Sequence, residues 1–368
     1  MYSMRCSISR FLVGCATFTS CGSHADEMPS LATDRYKISG YLEAYYSKDF
    51  NQPASQTRPG FIYSYNKHDS AQINLALIKA SLDMDRVRAR VGIGSGTYMR
   101  ANYAAENGYV RNIYEANVGF KLLDRHDVWL DVGVMPSHIG FESAIGAENW
   151  TLTRSMMADN SPYFETGARV SYTSPDGKWY VSGVAVNGWQ RINRPGGNST
   201  PSLGHQVTYK PHDKLTLNSS SFIGNDKSDQ DRQMRYFHNF YAQLALDDNW
   251  AVTTGFDIGA EQRLDDRGRY NVWYTPNVIV RYRYSDRLSV SARAEYYRDK
   301  QGVIISTRTP DGFNMQGYSV NMDYKLYPSI LLRAELKQFI SKERFFDTDD
   351  NDLSRRSLLA TTALAITF

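Results

Sequence analysis

After Tyr36 the chain consists almost wholly of long segments in which apolar and polar residues alternate one by one. Sixteen can be marked: 36–48, 71–83, 86–97, 110–123, 127–136, 163–174, 178–190, 202–211, 214–225, 234–247, 249–263, 270–285, 287–300, 312–327, 329–344 and 354–368. A period of two means an extended strand whose two faces differ. The segments run 10 to 16 residues, whereas strands of soluble proteins cluster near roughly five or six. A tilted strand that crosses a bilayer needs roughly 9–11.

The connections alternate in length. Seven are short and use turn chemistry, such as Asp83-Met84-Asp85, Pro175-Asp176-Gly177-Lys178 and Tyr327-Pro328-Ser329. Asp and Asn bond to their own backbone, Pro presets φ, and Gly allows φ > 0. Eight are longer and polar, near 49–70, 98–109, 137–161, 191–201, 226–233, 264–269, 301–311 and 345–353. Strict alternation of short and long fits a transmembrane antiparallel up-and-down β-barrel of about 16 strands, with both termini on one side. A Greek-key sandwich would not produce it.

The faces follow from parity. Leu358, Ala360, Thr362, Leu364, Ile366 and Phe368 share one face of the last segment. Val128, Leu130, Val132 and Val134 oppose Asp131, and Tyr318, Val320 and Met322 oppose Asn321 and Asp323. In "RVRARVGI" the valines oppose Arg86, Arg88 and Arg90. The polar faces carry both signs of charge. Such faces suit a wet lumen, since a dry core would leave many charges unpaired. No apolar run of roughly 18 residues occurs outside the N-terminus, so the sequence predicts no spanning helix. The mean hydropathy is -0.50. The 26 Tyr suit membrane-interface belts.

Residues 1–25 read as an export signal, with Arg5 and Arg10, the apolar "FLVGCATF" and a Ser23-His24-Ala25 cleavage site. A rival reading makes Cys21 a lipidated first residue. All three cysteines lie in this segment, so a chain cleaved after Ala25 has none. It also carries 40 Lys+Arg against 39 Asp+Glu, because only two basic and no acidic residues are lost. A net charge of +1 leaves no footprint of nucleic-acid binding. Residues 26–35 form a short lead into a barrel at 36–368, with no room between cleavage site and first strand for a plug domain.

The alternation, the exported start and the terminal Phe368 resemble a Gram-negative outer-membrane porin. More narrowly, the chain is similar to the OmpL-like family of β-barrel porins. The residues that carry this are Gly140, Glu142, Asn149, Thr153-Arg154-Ser155, Pro162, Gly167 and Arg169. The resemblance implies the outer membrane as location and passive diffusion of small hydrophilic solutes as role. It implies that the third long loop enters the lumen and narrows it. It also implies hand-over to the barrel assembly machinery through Phe368, contact with outer-membrane lipids and lipopolysaccharide, and a homotrimer as one compatible assembly. It names no cofactor and no solute.

The candidate pore residues are the ladder Arg86, Arg88 and Arg90, with Arg169, Arg281, Arg283, Arg293 and Arg333 on the wall. Glu142, Glu148, Arg154 and Asp159 lie on the third loop. Loop carboxylates facing wall arginines would set up a transverse field that selects by charge and size. The competing reading makes the wall arginines ion-pair with Glu43, Glu115, Asp131, Asp257, Glu295, Asp323 and Glu335. Helical character is expected near Thr151 to Ala158. No histidine pair sits at metal spacing, and no metal site is expected. The acidic tip at 347–352 lacks the Gly and distal Glu of a helix–loop–helix calcium site. The alternative function is an outer-membrane lipid hydrolase, with Ser137, His138 and Glu142 as the nearest thing to a hydrolytic set.

Overall fold

The computed structural model describes residues 35–368 apart from Arg308 and Asn351. The expected signal at 1–25 and the alternative at Cys21 lie outside the described residues. Sixteen long strands follow one another. They are β1 Tyr36–Asp49, β2 Ala71–Asp83, β3 Val87–Ser95, β4 Ile113–Lys121, β5 Asp127–Pro136, β6 Phe164–Thr173, β7 Trp179–Val186 and β8 Ser202–His212. The second half comprises β9 Leu215–Asn225, β10 Met234–Ala245, β11 Trp250–Gln262, β12 Tyr270–Arg283, β13 Leu288–Asp299, β14 Phe313–Tyr327, β15 Ile330–Ser341 and β16 Arg356–Thr367. Each pairs antiparallel with its chain neighbours, and β16 closes the barrel on β1, with Tyr41 opposite Thr367 and Asp49 opposite Leu359.

The closing seam explains one glycine. Gly40 exchanges backbone hydrogen bonds with Phe368, at 2.7 and 3.1 Å. A Cβ at Gly40 would lie 2.2 Å from the Phe368 ring. The glycine makes the seat for the last aromatic ring. A second pair is conformational: Gly133 and Gly167 face each other across β5 and β6 with φ of 132° and 156°. Few L side chains adopt that backbone.

Parity places the faces as expected. Val87, Val91, Ile93, Val132 and Leu364 are exposed on the outer surface. Arg88 and Asp131 meet on the inner one. Edges differ where turns intervene. Arg86 belongs to a turn rather than to β3, and β3 gives way after Ser95 to the short helix α1, Thr97–Asn102. The eighth long loop carries its own small hairpin, Phe346–Asp347 with Leu353–Ser354.

One layer of the interior is dry. Near the long-loop end, Val184, Phe222, Phe237, Trp273, Tyr297, Phe313 and Phe339 project inward from β7 to β15. Phe61 of the first long loop (50–70), Ile305 of the seventh and Phe346 of the eighth pack onto them. Phe61 lies 4.9 Å from Phe313 and 5.6 Å from Phe339, ring to ring. Among the tyrosines and tryptophans that suit an outer girdle, Tyr46, Trp179, Trp250 and Tyr274 are on the outside. Tyr45, Trp273 and Tyr297 are buried inside, because parity and not composition decides the face.

Candidate functional site

The third long loop, 137–163, first folds on itself. Asn149 brackets its tip: the side chain accepts from Ser143 N at 2.7 Å and donates to Ser143 O at 2.8 Å. Arg154 donates to the carbonyls of Ser143, Leu152 and Ala144 at 2.8, 2.9 and 3.0 Å. Ser155 accepts from Ala158 N at 3.1 Å and so caps α2, Met156–Asp159. Glu142 accepts from Ser155 N at 3.2 Å. The helix is thus a single turn, shorter than the expected stretch from Thr151, and residues 151–154 are left with backbone groups to satisfy elsewhere.

The wall of β13–β15 satisfies them in both directions. Arg293 donates to Thr153 O at 2.8 Å. Arg333 donates to Gly146 O at 2.6 Å and Asn149 O at 2.8 Å, and Lys337 to Arg154 O at 3.0 Å. In return Asn321 accepts from Leu152 N at 3.0 Å, Glu335 from Thr153 N at 2.5 Å and Glu295 from Met156 N at 2.6 Å. The same side chains neutralise one another: Arg293 with Glu335 at 2.9 Å, Arg333 with Asp323 at 2.8 Å, Lys337 with Glu295 at 2.8 Å. Buried charges are tolerable only when paired and hydrogen-bonded, and these are both.

The loop also reaches other walls. Tyr41 of β1 accepts from Ala147 N at 3.2 Å, and Asn239 of β10 from Gly140 N at 3.3 Å. Asp159 accepts from Ser64 Oγ at 3.0 Å and from the backbone of Tyr63 and Ser64 at 3.3 Å, which ties it to the first loop. Burial pushes the Asp159 carboxyl up to about 7.

On the short-turn side of the loop lies a cavity of about 520 Å³. Its wall includes Lys37, Lys79 and Lys325 with the apolar Tyr41 and Leu331; Glu148 of the loop faces into it. Lys79 is paired with Glu115 at 2.7 Å. Lys37, Lys325 and Glu148 make no ion pair among the described residues.

The twelve candidate residues therefore separate into three groups. Arg154, Glu142, Asp159, Arg293 and Arg333 build or anchor the third loop, and all five are buried or nearly so. Glu148 is exposed to the cavity, and Arg281 stacks on Trp150 of the loop at 4.9 Å. The rest stay on the wall. Arg88 pairs with Asp131 at 2.6 Å and lies 4.4 Å over Trp129. Arg90 pairs with Asp83 at 2.5 Å, and Arg86 with Asp124 at the rim. The ladder has no acid in its own strand, but neighbouring strands and turns supply one to each member. Arg169 pairs with Glu165 at 2.7 Å, and Arg283 donates to Asp248 O at 3.1 Å. The hydrolytic set does not assemble: His138 is held by Glu165 at 2.6 Å and Ser221 O at 2.8 Å, and Ser137 instead accepts from Ile139 N. At the acidic tip Asp352 pairs with Arg344 at 2.6 Å. Sequence reasoning passed over Lys37 and Lys79. Parity was the available signal, since both share an inner face with Tyr41 and Leu77.

The profile of the family described as "Putative beta-barrel porin-2, OmpL-like" matches residues 35–368. The chain belongs to this family. It is an outer-membrane β-barrel porin. No curated protein matches it in sequence. Its fold is similar to the outer membrane channel DcaP of Acinetobacter baumannii, with TM-score 0.61 and 11% identity over 90% of this chain and 97% of that one. It is also similar to OmpT of Vibrio cholerae, with TM-score 0.59 and 9% identity over 92% and 99%. A third likeness is the anion-selective porin of Comamonas acidovorans, with TM-score 0.58 and 8% identity over 90% and 99%. A trimer form of the Vibrio protein has TM-score 0.55 and 9% identity over 90% and 99%. At these identities the likeness is one of fold. Barrels of the outer membrane place their short turns toward the periplasm and their long loops outward.

Proposed function

We propose that this porin lets small hydrophilic solutes diffuse passively into the periplasm, through a lumen that the third loop narrows. The carrying observation is the pinning of residues 146–156 to β13–β15 inside the barrel, with the cavity on the loop's periplasmic side. Selection then falls to Glu148 and the three lysines across from it. The ladder of Arg86, Arg88 and Arg90 serves as wall scaffold, because each guanidinium already has a carboxylate. Solute passage is rapid and involves no covalent step.

Three further parts of the reading complete it. Residues 1–25 direct export. Phe368, on the outer surface and largely exposed, is presented to the assembly machinery. A homotrimer is the assembly, with the trimer form of the Vibrio fold neighbour in support.

Planar-bilayer recording tests the proposal. The purified porin is expected to give discrete conductance steps, and deletion of 144–157 to raise unit conductance by twofold or more. Equal conductance after the deletion would place the loop outside the conducting path. Absence of steps would end the channel reading altogether.

A further inference from the structure

The outer surface of the barrel is largely apolar, with single outward polar residues such as Thr254, Gln316, Gln338 and Thr362, and with a denser polar group across β7 to β10. There Gly183, His205, Ser221 and His238 stand opposite one another in register on four successive strands. All four share parity with outward residues: Val181 and Ala185, Leu203 and Val207, Ser219 and Ile223, Tyr236 and Phe240. The row therefore faces lipid, with apolar or aromatic side chains on both sides of it along β7, β8 and β10, and with Ser219 and Ile223 beside Ser221 on β9. Side chains of this kind are costly in hydrocarbon and mark function there.

The row is a connected chain of hydrogen bonds. His205 Nδ1 meets Ser221 Oγ at 2.6 Å, and His205 Nε2 meets Ser219 Oγ at 3.5 Å. Ser219 Oγ in turn meets His238 Nε2 at 2.9 Å. His238 rests on the Phe240 ring at 4.0 Å, and its Nδ1 bonds to no described residue. One nitrogen at the end of the chain is thus left to donate or accept outward. His205 lies three residues from the long-loop end of β8, and His238 four from that end of β10. The row is in the outer-leaflet half of the wall.

Directly on its periplasmic side is an open groove of about 450 Å³. Val207, Leu217, Phe240 and Phe256 flank it, and Ser219 and Ala242 keep its floor low. A polar row toward the headgroups with an apolar groove toward the midplane has the polarity and direction of one lipid chain hanging from its linkage. We propose that this face is a binding site for lipid A of lipopolysaccharide. An acyl chain fills the groove, and the carbonyl or hydroxyl oxygens at the head of that chain hydrogen-bond to His238 and the serine–histidine row. The proposal rests on the outer-membrane orientation of the porin and not on its solute.

Native mass spectrometry of the full-length protein, exchanged into detergent and incubated with lipid A or with phosphatidylethanolamine, tests it. Two variants are used. One replaces the row, as His205→Leu, Ser219→Ala, Ser221→Ala and His238→Leu together. The other, Ala242→Trp, fills the groove and leaves the row intact. Heat-modifiable gel migration reports folding of each, so the single substitution remains informative if the fourfold one misfolds. Lipid A retention is expected to fall at least tenfold in each folded variant, and the wild type to retain phosphatidylethanolamine far less. Equal lipid A retention by wild type and Ala242→Trp would overturn the site, as would equal retention of the two lipids. Release of free fatty acid from lipid A would also overturn it, by making the row a hydrolase. Bilayer conductance is measured in parallel; its absence would sink the channel reading while leaving the lipid result standing.

Discussion

Two walls of this barrel use the same side chains for different ends. On β2–β5, Arg88 and Arg90 meet Asp131 and Asp83, partly open to water. On β13–β15, Arg293, Arg333 and Lys337 meet Glu335, Asp323 and Glu295 with almost no exposure. The difference is not in the ion pairs. It is that the second set has donors and acceptors left over, and a loop backbone takes them up. An inward arginine is a wall brace where its partners are other residues of the strands and their turns. It becomes a loop anchor where unpaired carbonyls come within reach.

Removing one arginine from each wall separates the two arrangements most strongly. Arg333→Met leaves the Asp323 carboxylate with Asn321 as its remaining donor and no countercharge, and takes a donor from the carbonyls of Gly146 and Asn149, all in a dry place. Breaking such a buried pair costs about 3–5 kcal/mol. Arg88→Met exposes Asp131 to a wet lumen and costs about 1 kcal/mol. Urea unfolding in lipid vesicles, followed by tryptophan fluorescence, measures both. Limited proteolysis within 144–157 is expected to speed up only for Arg333→Met. Equal losses would mean that the loop contributes nothing to the β13–β15 wall.

How far the sequence spoke can be judged on these same residues. The barrel was legible because parity at Val87, Leu130 and Leu364 is a local property, repeated in every strand. The inward direction of Arg88, Arg293 and Arg333 was legible for the same reason. What no local pattern carries is the partner. Asp131 and Arg88 are 43 residues apart, and Arg333 meets carbonyls more than 180 residues earlier. Such pairings depend on register around the closed sheet and on the loop's path through it. The dry aromatic layer around Phe61 was missed because inward phenylalanines at Phe222, Phe313 and Phe339 look locally like outward ones. The His205–Ser221–His238 row was likewise hidden: polar residues of these strands fall on both faces, and only register lines these three up.

A smaller effect separates the two walls by selectivity. Lys37→Gln, Lys79→Gln and Lys325→Gln together remove three positive charges opposite Glu148. Anion-over-cation permeability, from reversal potentials at 0.1 M salt, is expected to fall about threefold, since charges within roughly 10 Å of the path are felt at that ionic strength. The same change at Arg86, Arg88 and Arg90 removes as much charge from residues that do not line the cavity, and a shift under about 1.5-fold is expected. Glu148→Gln should move the ratio the opposite way. A larger response from the arginine ladder would relocate the selecting field to the β3 wall.

The smallest expected effect concerns the join between the third loop and the first. Burial raises the Asp159 carboxyl from 3.8 to about 7, so the packed loop favours its protonated form. A group whose folded pKa is raised contributes stability that is complete below the unfolded value, near pH 4. That stability is lost as pH climbs through about 7. The loop should hold Ser64 and Tyr63 more firmly at pH 5 than at pH 8. Brief current fluctuations in single-channel records are therefore expected to become about two- to threefold more frequent between those pH values. Asp159→Asn keeps one oxygen for the two hydrogen bonds from Ser64, gives up the one from Tyr63 N, carries no charge, and should flatten the dependence. Arg88→Met, whose partners Asp131 and Trp129 belong to the wall, should leave the dependence as it is. A pH response that survives Asp159→Asn would put the titrating group elsewhere and free the join between the two loops from any part in it.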